Sequence, residues 1–235
     1  SLVYLLKALL DNKVRSFIFS SSCTVYGQAD DLPITENAPV KKAESPYGNT
    51  KQIGEEILED VTKSEDLNVI ALRYFNPIGA HESAMIGELP LGVPQNLIPF
   101  VTQTAAGIRE ELSVFGDDYP TPDGTAVRDY IHVVDLAKAH ISALERLLEG
   151  RNKSNMEFFN VGTGKGSSVL EVIKAFERVS GKDLKYRIVG RREGDITAAF
   201  ADTSIANKEL GWKAELTLDD ALRSAWKWQE RNLKN

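Results

Sequence analysis

Two buried-strand patterns on either side of one amphipathic helix restrict the fold of this chain more than any other feature. "RSFIFSSS" at 15–22 and "LNVIALRYFN" at 67–76 are short apolar runs that end in polar side chains, a pattern typical of strands buried on both faces. Between them, apolar residues at spacings of three and four predict a helix from about Pro46 to Ser64. Because parallel strands need a crossover, this succession predicts a parallel α/β sheet.

The rest of the chain is predicted to surround one long irregular stretch. Residues 81–124 are rich in Gly, Pro and Asp, and such a stretch is usually a functional loop or a small added lobe. The other predicted elements are helices near 2–10, 95–106, 133–148 and 168–180, strands near 112–115, 156–162, 186–189 and 198–201, and two closing helices.

Charge and cysteine content restrict the partners. The 235 residues carry a formal net charge of −6, so we expect a small-molecule ligand and neither nucleic acid nor a membrane as the main partner. The single cysteine, Cys23, excludes a disulfide framework and indicates a reducing, cytoplasmic location. His81, His132 and His140 lack the spacing of a metal site, so no metal is expected.

The segment "SPYGNTK" at 45–51 carries a candidate reactive pair. Ser45 is a good N-cap and Pro46 suits the first helical position, which puts Tyr47 in the first turn and Lys51 one turn later on the same face. The lysine charge and the helix dipole favour phenolate, so we expect them to lower the pKa of Tyr47 from its ordinary value of about 10. The pair could then act as a general base, although the spacing alone is common by chance.

Hydroxyl side chains at the end of the preceding strand make the pair more specific. Ser20, Ser21, Ser22 and Thr24 precede the predicted Tyr–Lys helix, and in doubly wound α/β proteins ligands sit beyond the carboxyl ends of the strands. A strand-end hydroxyl followed by Tyr-x-x-x-Lys on the next helix resembles the active site of the short-chain dehydrogenase/reductases.

Further motifs narrow the resemblance to one branch of that family. "FSSSCTVYG", "SPYGNTK", "LRYFNPIGAH", "NLIPFV", "DGTAVRDYIHVVDLAKAH", "NVGTGKGSSVLEVI" and "RREGD" follow one another along the whole chain. Their order and spacing are similar to those of the UDP-glucose 4-epimerases, an extended sugar-nucleotide branch of the short-chain dehydrogenase/reductases. The resemblance implies an α/β fold: the C-terminal part of a doubly wound, Rossmann-like parallel sheet with a smaller α+β substrate lobe.

The same resemblance implies a division of the chain and a segment ahead of it. Residues 1–80 and 126–165 would belong to the dinucleotide-binding domain, and residues 81–125 and 166–235 to the sugar-nucleotide substrate lobe. The family's N-terminal Gly-rich βαβ segment, roughly 80 to 100 residues, is not in this sequence. NAD binding and activity by this chain alone are therefore left open.

The activity that the resemblance implies is the interconversion of UDP-glucose and UDP-galactose by NAD-dependent 4-epimerisation through a 4-keto intermediate. Tyr47 matches the base that removes the proton of the sugar 4-hydroxyl. Lys51 matches the lysine that lowers the tyrosine pKa and holds the nicotinamide ribose, and Ser22 matches a hydroxyl bonded to the same sugar oxygen. Phe75 matches a residue against the nicotinamide, although by composition it is a buried strand aromatic.

The resemblance also implies a substrate-binding set. Two arginines, Arg128 and Arg192, match a clamp on the diphosphate, and Asp195 matches the acid that binds the uridine ribose. Asn76 is matched to a phosphate or sugar hydroxyl, and Asn96 and Leu97 open a helix whose free amides favour a diphosphate. The short strand that would read the uracil with its backbone comprises Ser113, Val114 and Phe115.

Ala199 stands where some epimerases carry a bulky tyrosine and others a small residue. The resemblance therefore implies a pocket wide enough for the N-acetyl group of UDP-GlcNAc and UDP-GalNAc, as well as for UDP-glucose and UDP-galactose.

Other functions stay open at this point. One is a non-catalytic, uridine-nucleotide-binding fragment; another is a sugar-nucleotide 4,6-dehydratase or decarboxylase of the same branch. Dehydratases usually carry acidic residues after the strand-end hydroxyls, where this chain has Cys23 and Thr24, which favours epimerisation.

"GTGKGS" at 162–167 ends in Ser167 where a dinucleotide fingerprint needs glycine, and so predicts only a strand-to-helix turn. Family members commonly dimerise through helices that include the Tyr–Lys helix, which implies a homodimer.

Overall fold

The strand–helix–strand unit predicted from the sequence forms the centre of the fold. In a computed structural model that describes residues 1–233, Leu2–Asp11 form α1, Ser16–Ser22 form β1, Pro46–Ser64 form α2 and Asn68–Tyr74 form β2. β1 and β2 pair in parallel along their full length. Residues 234–235, the last two of the predicted substrate lobe, lie outside the described residues.

The remaining elements follow the predicted order with several short strands added. They are β3 (Asn76–Ile78), α3 (Leu97–Ala105), β4 (Leu112–Phe115), β5 (Val127–Arg128), β6 (Tyr130–His132), α4 (Val133–Leu148), β7 (Met156–Val161), β8 (Ser167–Ser168), α5 (Val169–Ser180), β9 (Tyr186–Val189), β10 (Ala198–Ala199), α6 (Ser204–Glu209) and α7 (Leu218–Asn232).

Parallel pairing brings the carboxyl ends of three strands to one edge. β2 lies between β1 and β7, and Ser22, Tyr74 and Val161 are aligned at that edge. β3 pairs with β6, β4 with β9, and β5 with β10, all in parallel, whereas β8 pairs with β5 antiparallel. The α/β fold class with parallel sheets is therefore confirmed.

Helices cover both faces of the central sheet, as in a doubly wound fold. On one face, Leu58 of α2 and Leu6 of α1 pack with Val69; on the other, Ala143 of α4 packs with Leu72. A separate core forms among α3, α5 and α7 around β4. Within residues 1–233, every helix is too short or too polar to cross a membrane.

Candidate active site

The first turn of α2 has the capping geometry predicted from its sequence. The Ser45 hydroxyl accepts a hydrogen bond from the amide of Gly48 (3.1 Å), and Pro46 is the first helical residue. Gly48 allows a close approach to the preceding strand end, because a Cβ there would lie 3.3 Å from the carbonyl oxygen of Thr24. The cap and the glycine together hold Tyr47 beside the carboxyl end of β1.

Lys51 joins the strand end to the tyrosine. Its Nζ donates to the main-chain oxygen of Ser20 (2.8 Å) and lies 5.4 Å from the centre of the Tyr47 ring. Phe19 contacts the same ammonium from β1, at 5.5 Å from its ring centre. The tyrosine itself is 52% exposed, so its phenol is open to a ligand at this edge of the sheet.

The expected lowering of the Tyr47 pKa is wrong for this chain. Partial burial raises the pKa of Tyr47 above its ordinary value, Tyr74 adds to the rise, and a hydrogen bond with Ser22 lowers it. Burial also lowers the pKa of Lys51. Desolvation of the phenol is the largest cause of the rise, and the Lys51 ammonium is held by a carbonyl oxygen of β1.

Ser22 has a structural role as well as its predicted chemical one. Its side chain is buried, and its oxygen accepts from the amide of Thr24 (3.2 Å) and from the Thr24 hydroxyl (3.0 Å). These bonds cap a short 3-10 helix at Cys23–Tyr26. The same Ser22 hydroxyl lowers the pKa of Tyr47. One side chain therefore acts on both the strand-end turn and the tyrosine.

Phe75 and Ala199 lie together in a small buried cluster. Phe75 is 3% exposed and Ala199 is 2% exposed, and both pack with Val25 and Tyr26. The amide of Phe75 donates to the oxygen of Val161 (3.1 Å), which fixes the chain as it leaves β2.

A cavity of about 530 Å³ lies beyond β3, β5 and the start of α3. Tyr130 and Glu88, which the sequence did not single out, also line it. Eight of the ten predicted substrate-binding residues line this cavity: Asn76, Asn96, Leu97, Ser113, Phe115, Arg128, Arg192 and Asp195.

The other two predicted substrate residues, Val114 and Ala199, do not line the cavity. Val114 is fully buried in the core, because alternate residues of a strand face opposite sides and its neighbours Ser113 and Phe115 face the cavity. Ala199 pairs with Arg128 in the backbone register but lies in the cluster around Phe75.

Two arginines share one carboxylate in the cavity wall. Arg192 donates through Nη2 and Nε to the two oxygens of Asp195 (2.7 and 3.1 Å), and Arg128 Nη2 lies 3.7 Å from Asp195 Oδ1. Hydrogen bonding to Asp195 raises the pKa of Arg192. Planar guanidinium groups beside a carboxylate present donors to an anion and an acceptor to hydroxyls within one site.

The start of α3 adds main-chain donors to the same cavity. Asn96 is the N-cap residue, but its side-chain amide donates to Glu88 Oε1 (2.8 Å) instead of capping the helix. The first amides of α3 therefore have no side-chain cap where they border the cavity, the arrangement that favours anions at helix N-termini.

Asp129 is a buried acid that the sequence patterns did not single out. It is fully buried and accepts from the amide and hydroxyl of Thr163 (2.8 and 2.6 Å), from the amide of Gly164 (3.0 Å) and from the amide of Ala201 (3.2 Å). The "GTGKG" turn thus closes on an internal carboxylate, and Ser168 caps the helix that follows. This confirms the predicted strand-to-helix turn.

Comparison with known proteins decides the family. A sequence model described as GDP-mannose 4,6 dehydratase matches residues 1–225. A solved UDP-glucose 4-epimerase from Stenotrophomonas maltophila, with bound NAD and formylated UDP-arabinopyranose, is 51% identical with a TM-score of 0.95, over 99% of this chain and 68% of that one. The chain belongs to the UDP-glucose 4-epimerase family.

Other members of this family agree. The Drosophila melanogaster UDP-glucose 4-epimerase is 52% identical over 97% of this chain and 65% of its own length. The Bifidobacterium longum enzyme, in complex with NAD+ and UDP, is 51% identical with a TM-score of 0.92, over 99% of this chain and 68% of that one. The UDP-Glc/GlcNAc 4-epimerase of Campylobacter jejuni is 35% identical with a TM-score of 0.79, over 98% and 69%. The chain spans about two thirds of the length of the curated relatives it matches (65% and 66%).

Proposed function

We propose that the protein containing this chain interconverts UDP-glucose and UDP-galactose by NAD-dependent 4-epimerisation, as an enzyme of galactose metabolism. One observation carries the proposal. The chain combines the Tyr47–Lys51 pair at the carboxyl end of β1 with a cavity that is lined by Arg128, Arg192 and Asp195. The relatives that match nearly the whole chain are UDP-glucose 4-epimerases.

The residues present fit the nicotinamide end of NAD. Lys51 has an ammonium at the carboxyl edge of the sheet, and the half-exposed Tyr47 and the Ser22 hydroxyl lie beside it. We propose that these three residues hold the nicotinamide ribose, with Phe75 behind them. When bound, NAD would take a hydride from sugar C4 and return it to the other face. The "GTGKG" turn does not compete for a dinucleotide, since its amides are used by Asp129.

In this mechanism Tyr47 is the general base. Its phenolate takes the proton of the sugar 4-hydroxyl while the Ser22 hydroxyl bonds to the same sugar oxygen. Lys51 places positive charge 5.4 Å from the centre of the tyrosine ring, where a cation favours phenolate, and the Ser22 hydroxyl opposes the rise in pKa that burial causes. When the 4-keto sugar has turned over, the protonated tyrosine returns the proton and the net redox change is zero.

The cavity is proposed to hold the UDP part while the sugar turns. Arg128 and Arg192 would bind the diphosphate together with Asn76, Asn96 and the amide of Leu97. Asp195 would accept from the ribose hydroxyls, and Ser113–Phe115 would read the uracil through the backbone. Residues 81–125 and 166–235 would then act as the substrate lobe, and residues 1–80 and 126–165 as the remaining part of the dinucleotide-binding domain.

Ala199 is proposed to widen the sugar pocket for the acetylated pair, UDP-GlcNAc and UDP-GalNAc. The residue is small and lies against Phe75, which is placed beside the nicotinamide in this proposal. Ala199→Tyr should selectively suppress turnover of the acetylated pair, as measured by the ratio of kcat/KM values for the two substrate pairs. An equal loss on both pairs would count against this role.

We also propose a cytoplasmic homodimer. The single cysteine supports the location. Exposed apolar side chains on α1 and α2 support the dimer: Tyr4 is 81% exposed, Val3 60% and Ile53 45%. Sedimentation should show a dimer, and Tyr4→Lys should shift it towards monomer; a monomeric unmodified protein would contradict the proposal.

The function is tested with UDP-glucose and NAD on the protein that contains this chain. UDP-galactose is the expected product. A 4-keto-6-deoxy sugar would identify a dehydratase, as in the description of the matching family model, and release of carbon dioxide from UDP-glucuronate would identify a decarboxylase. UDP binding with neither NAD binding nor turnover would support a nucleotide-binding fragment.

A further inference from the structure

We propose that Glu55 and Arg73 are positioning residues for the Tyr47–Lys51 pair: their buried ion pair sets where α2 rests on the sheet. Glu55 lies one turn beyond Lys51 on α2, and Arg73 lies on β2, the strand in the middle of the central sheet. The inference deepens the proposed function, on which its kinetic part rests.

The geometry of this pair is bidentate and enclosed. Arg73 Nη2 donates to Glu55 Oε2 (2.6 Å) and Arg73 Nε to Glu55 Oε1 (2.9 Å), and both side chains are 6% exposed. Two parallel bonds between planar groups fix orientation as well as distance. Arg73 is itself held by the rings of Tyr26 and Phe158, whose centres lie 5.0 and 4.3 Å from its Cζ.

The same pair connects to the strand end that carries the Ser22 hydroxyl. Ser21, next to Ser22 in β1, donates to Glu55 Oε1 (2.5 Å). Arg73 Nη1 donates to the hydroxyl of Tyr26, the last residue of the 3-10 helix that Ser22 caps (3.1 Å). The Tyr26 hydroxyl donates in turn to Asn160 Oδ1 on β7 (2.8 Å). One buried network therefore ties α2, β1, β2 and β7 together, one turn of α2 beyond Lys51.

Stability alone is a weak reason for such a network. Replacing a buried ion pair by apolar residues of similar volume is often neutral or stabilising, because desolvation offsets much of the attraction between the charges. An apolar contact, unlike a bidentate ion pair, does not fix the relative orientation of the two elements that it joins. A shift of α2 along β1 would move the Lys51 ammonium away from the Ser20 oxygen and Tyr47 away from Ser22, and small displacements of reacting groups are costly in rate.

The chain contains a matched control far from this edge. Arg146 of α4 donates through Nε and Nη2 to Glu157 of β7 (2.7 and 2.9 Å), and the side chains are 3% and 9% exposed. This second pair is also a bidentate, enclosed Arg–Glu pair between a helix and a strand, with the arginine on the helix and the glutamate on the strand, and Arg146 Nη2 lies 3.4 Å from Glu209 Oε2 as well. It joins no residue of the Tyr47–Lys51 site in the described part of the chain, so its loss should affect folding alone.

The first experiment compares Glu55→Gln with Glu157→Gln. Each variant removes a bidentate carboxylate from a buried arginine, so both should melt at lower temperature, with the smaller drop in Glu157→Gln because Arg146 keeps Glu209. Only Glu55→Gln should lower kcat, by roughly ten- to a hundred-fold with KM for UDP-glucose little changed, because positioning acts on the reacting groups and not on UDP binding. Equal kcat in the two variants, at a temperature where both are folded, would overturn the inference.

The second experiment separates positioning from folding. The double variant Glu55→Met/Arg73→Met should recover most of the melting temperature without recovering kcat. Recovery of both would show that the pair serves stability only. Titration of Tyr47, followed by NMR at its isotope-labelled Cζ, gives a readout that does not need turnover. The pKa of Tyr47 should rise in Glu55→Gln, as Ser22 stops lowering it, and stay unchanged in Glu157→Gln; an unchanged value in both would overturn the inference even if the protein proved not to be an epimerase.

Discussion

The cavity and the Tyr47–Lys51 edge are built in opposite ways. The cavity collects side chains from distant parts of the chain; among its charged groups Arg128 is 17% exposed and Asp195 13%, whereas Arg192 is 56% exposed. The Tyr47–Lys51 edge is built from one local strand–helix unit, and Tyr47 is 52% exposed. The groups proposed to bind UDP thus come from distant parts of the chain, while the groups proposed to react come from one strand–helix unit. Damage to one region should leave the other largely intact.

Removing the phenol of Tyr47 should separate the two regions most clearly. Tyr47→Phe should reduce turnover of UDP-glucose by about 10²- to 10⁴-fold, the contribution expected of a general base. UDP affinity should be unchanged, because the tyrosine does not line the cavity. Steady-state kinetics and calorimetric UDP titration measure the two effects, and retention of near-normal turnover would contradict the assigned role.

Removing the charge of Asp129, which stands between the cavity-lining residues Arg128 and Tyr130, should destabilise the fold. Asp129→Asn puts an amide group among the four donors that now reach the carboxylate, so the free energy of unfolding should fall by about 2–4 kcal/mol. Urea denaturation measures the loss. Asp118→Asn is the control: Asp118 pairs with Arg191 on the surface, and no measurable change is expected. Equal stability of both variants would contradict the structural role of Asp129.

Adjacent arginines allow a sharper test of the cavity. Arg192→Ala should weaken UDP binding by about 10- to 100-fold, the usual value of hydrogen bonds to a charged group. Arg191 contacts Asp118 and Tyr119 and does not line the cavity, so Arg191→Ala should bind UDP normally. Calorimetry on both variants decides the matter, and similar affinities would show that the cavity does not bind the diphosphate through Arg192.

High pH should lower the free energy of unfolding by a smaller amount, through one buried tyrosine in each region. Burial raises the pKa of Tyr26, beside the reactive edge, and of Tyr130, in the cavity wall, to about 12 in each case. Because unfolded tyrosine titrates near pH 10, the folded state binds these protons more tightly, and their contribution is complete below that pH and lost as the pH rises through 12. The free energy of unfolding should fall by about 1 kcal/mol per tyrosine between pH 10 and 11.

Variants show which tyrosine is responsible. Tyr130→Phe should flatten the alkaline decline by its share, and Tyr26→Phe should do so as well while also lowering stability at neutral pH, since Asn160 and Arg73 lose a partner. Urea denaturation across this pH range measures the slopes. An unchanged slope in both variants would contradict the tyrosine assignment.

The sequence predicted the long helices of this fold well, and the very short strands and buried side-chain contacts poorly. Helices such as Pro46–Ser64 have enough turns for apolar spacing to reveal them. Strands of two or three residues, such as Val127–Arg128, are too short to show an alternating pattern. They form because they pair with a strand that is distant in the chain. The buried links of Asp129 and of the Glu55–Arg73 pair were missed for the same reason, since each depends on residues distant in the chain.

Predicting the site needed both residue patterns and a family resemblance. The cap and the four-residue spacing located Tyr47 and Lys51, whereas the cavity residues came from matched motifs alone. The direction of the Tyr47 pKa shift was wrong because the helix dipole and the lysine charge can be read from spacing, but desolvation depends on the three-dimensional surroundings. Val114 is a similar case, since strand alternation turns its side chain away from the cavity.

The most direct test of the division between a binding cavity and a reacting edge is calorimetric titration of UDP into three forms of the chain. We predict that the unmodified chain binds UDP, that Tyr47→Phe binds it with the same affinity, and that Arg192→Ala binds it about 10- to 100-fold more weakly. If the unmodified chain fails to bind UDP, or if Tyr47→Phe weakens binding as much as Arg192→Ala, the two regions are not separable in the way proposed.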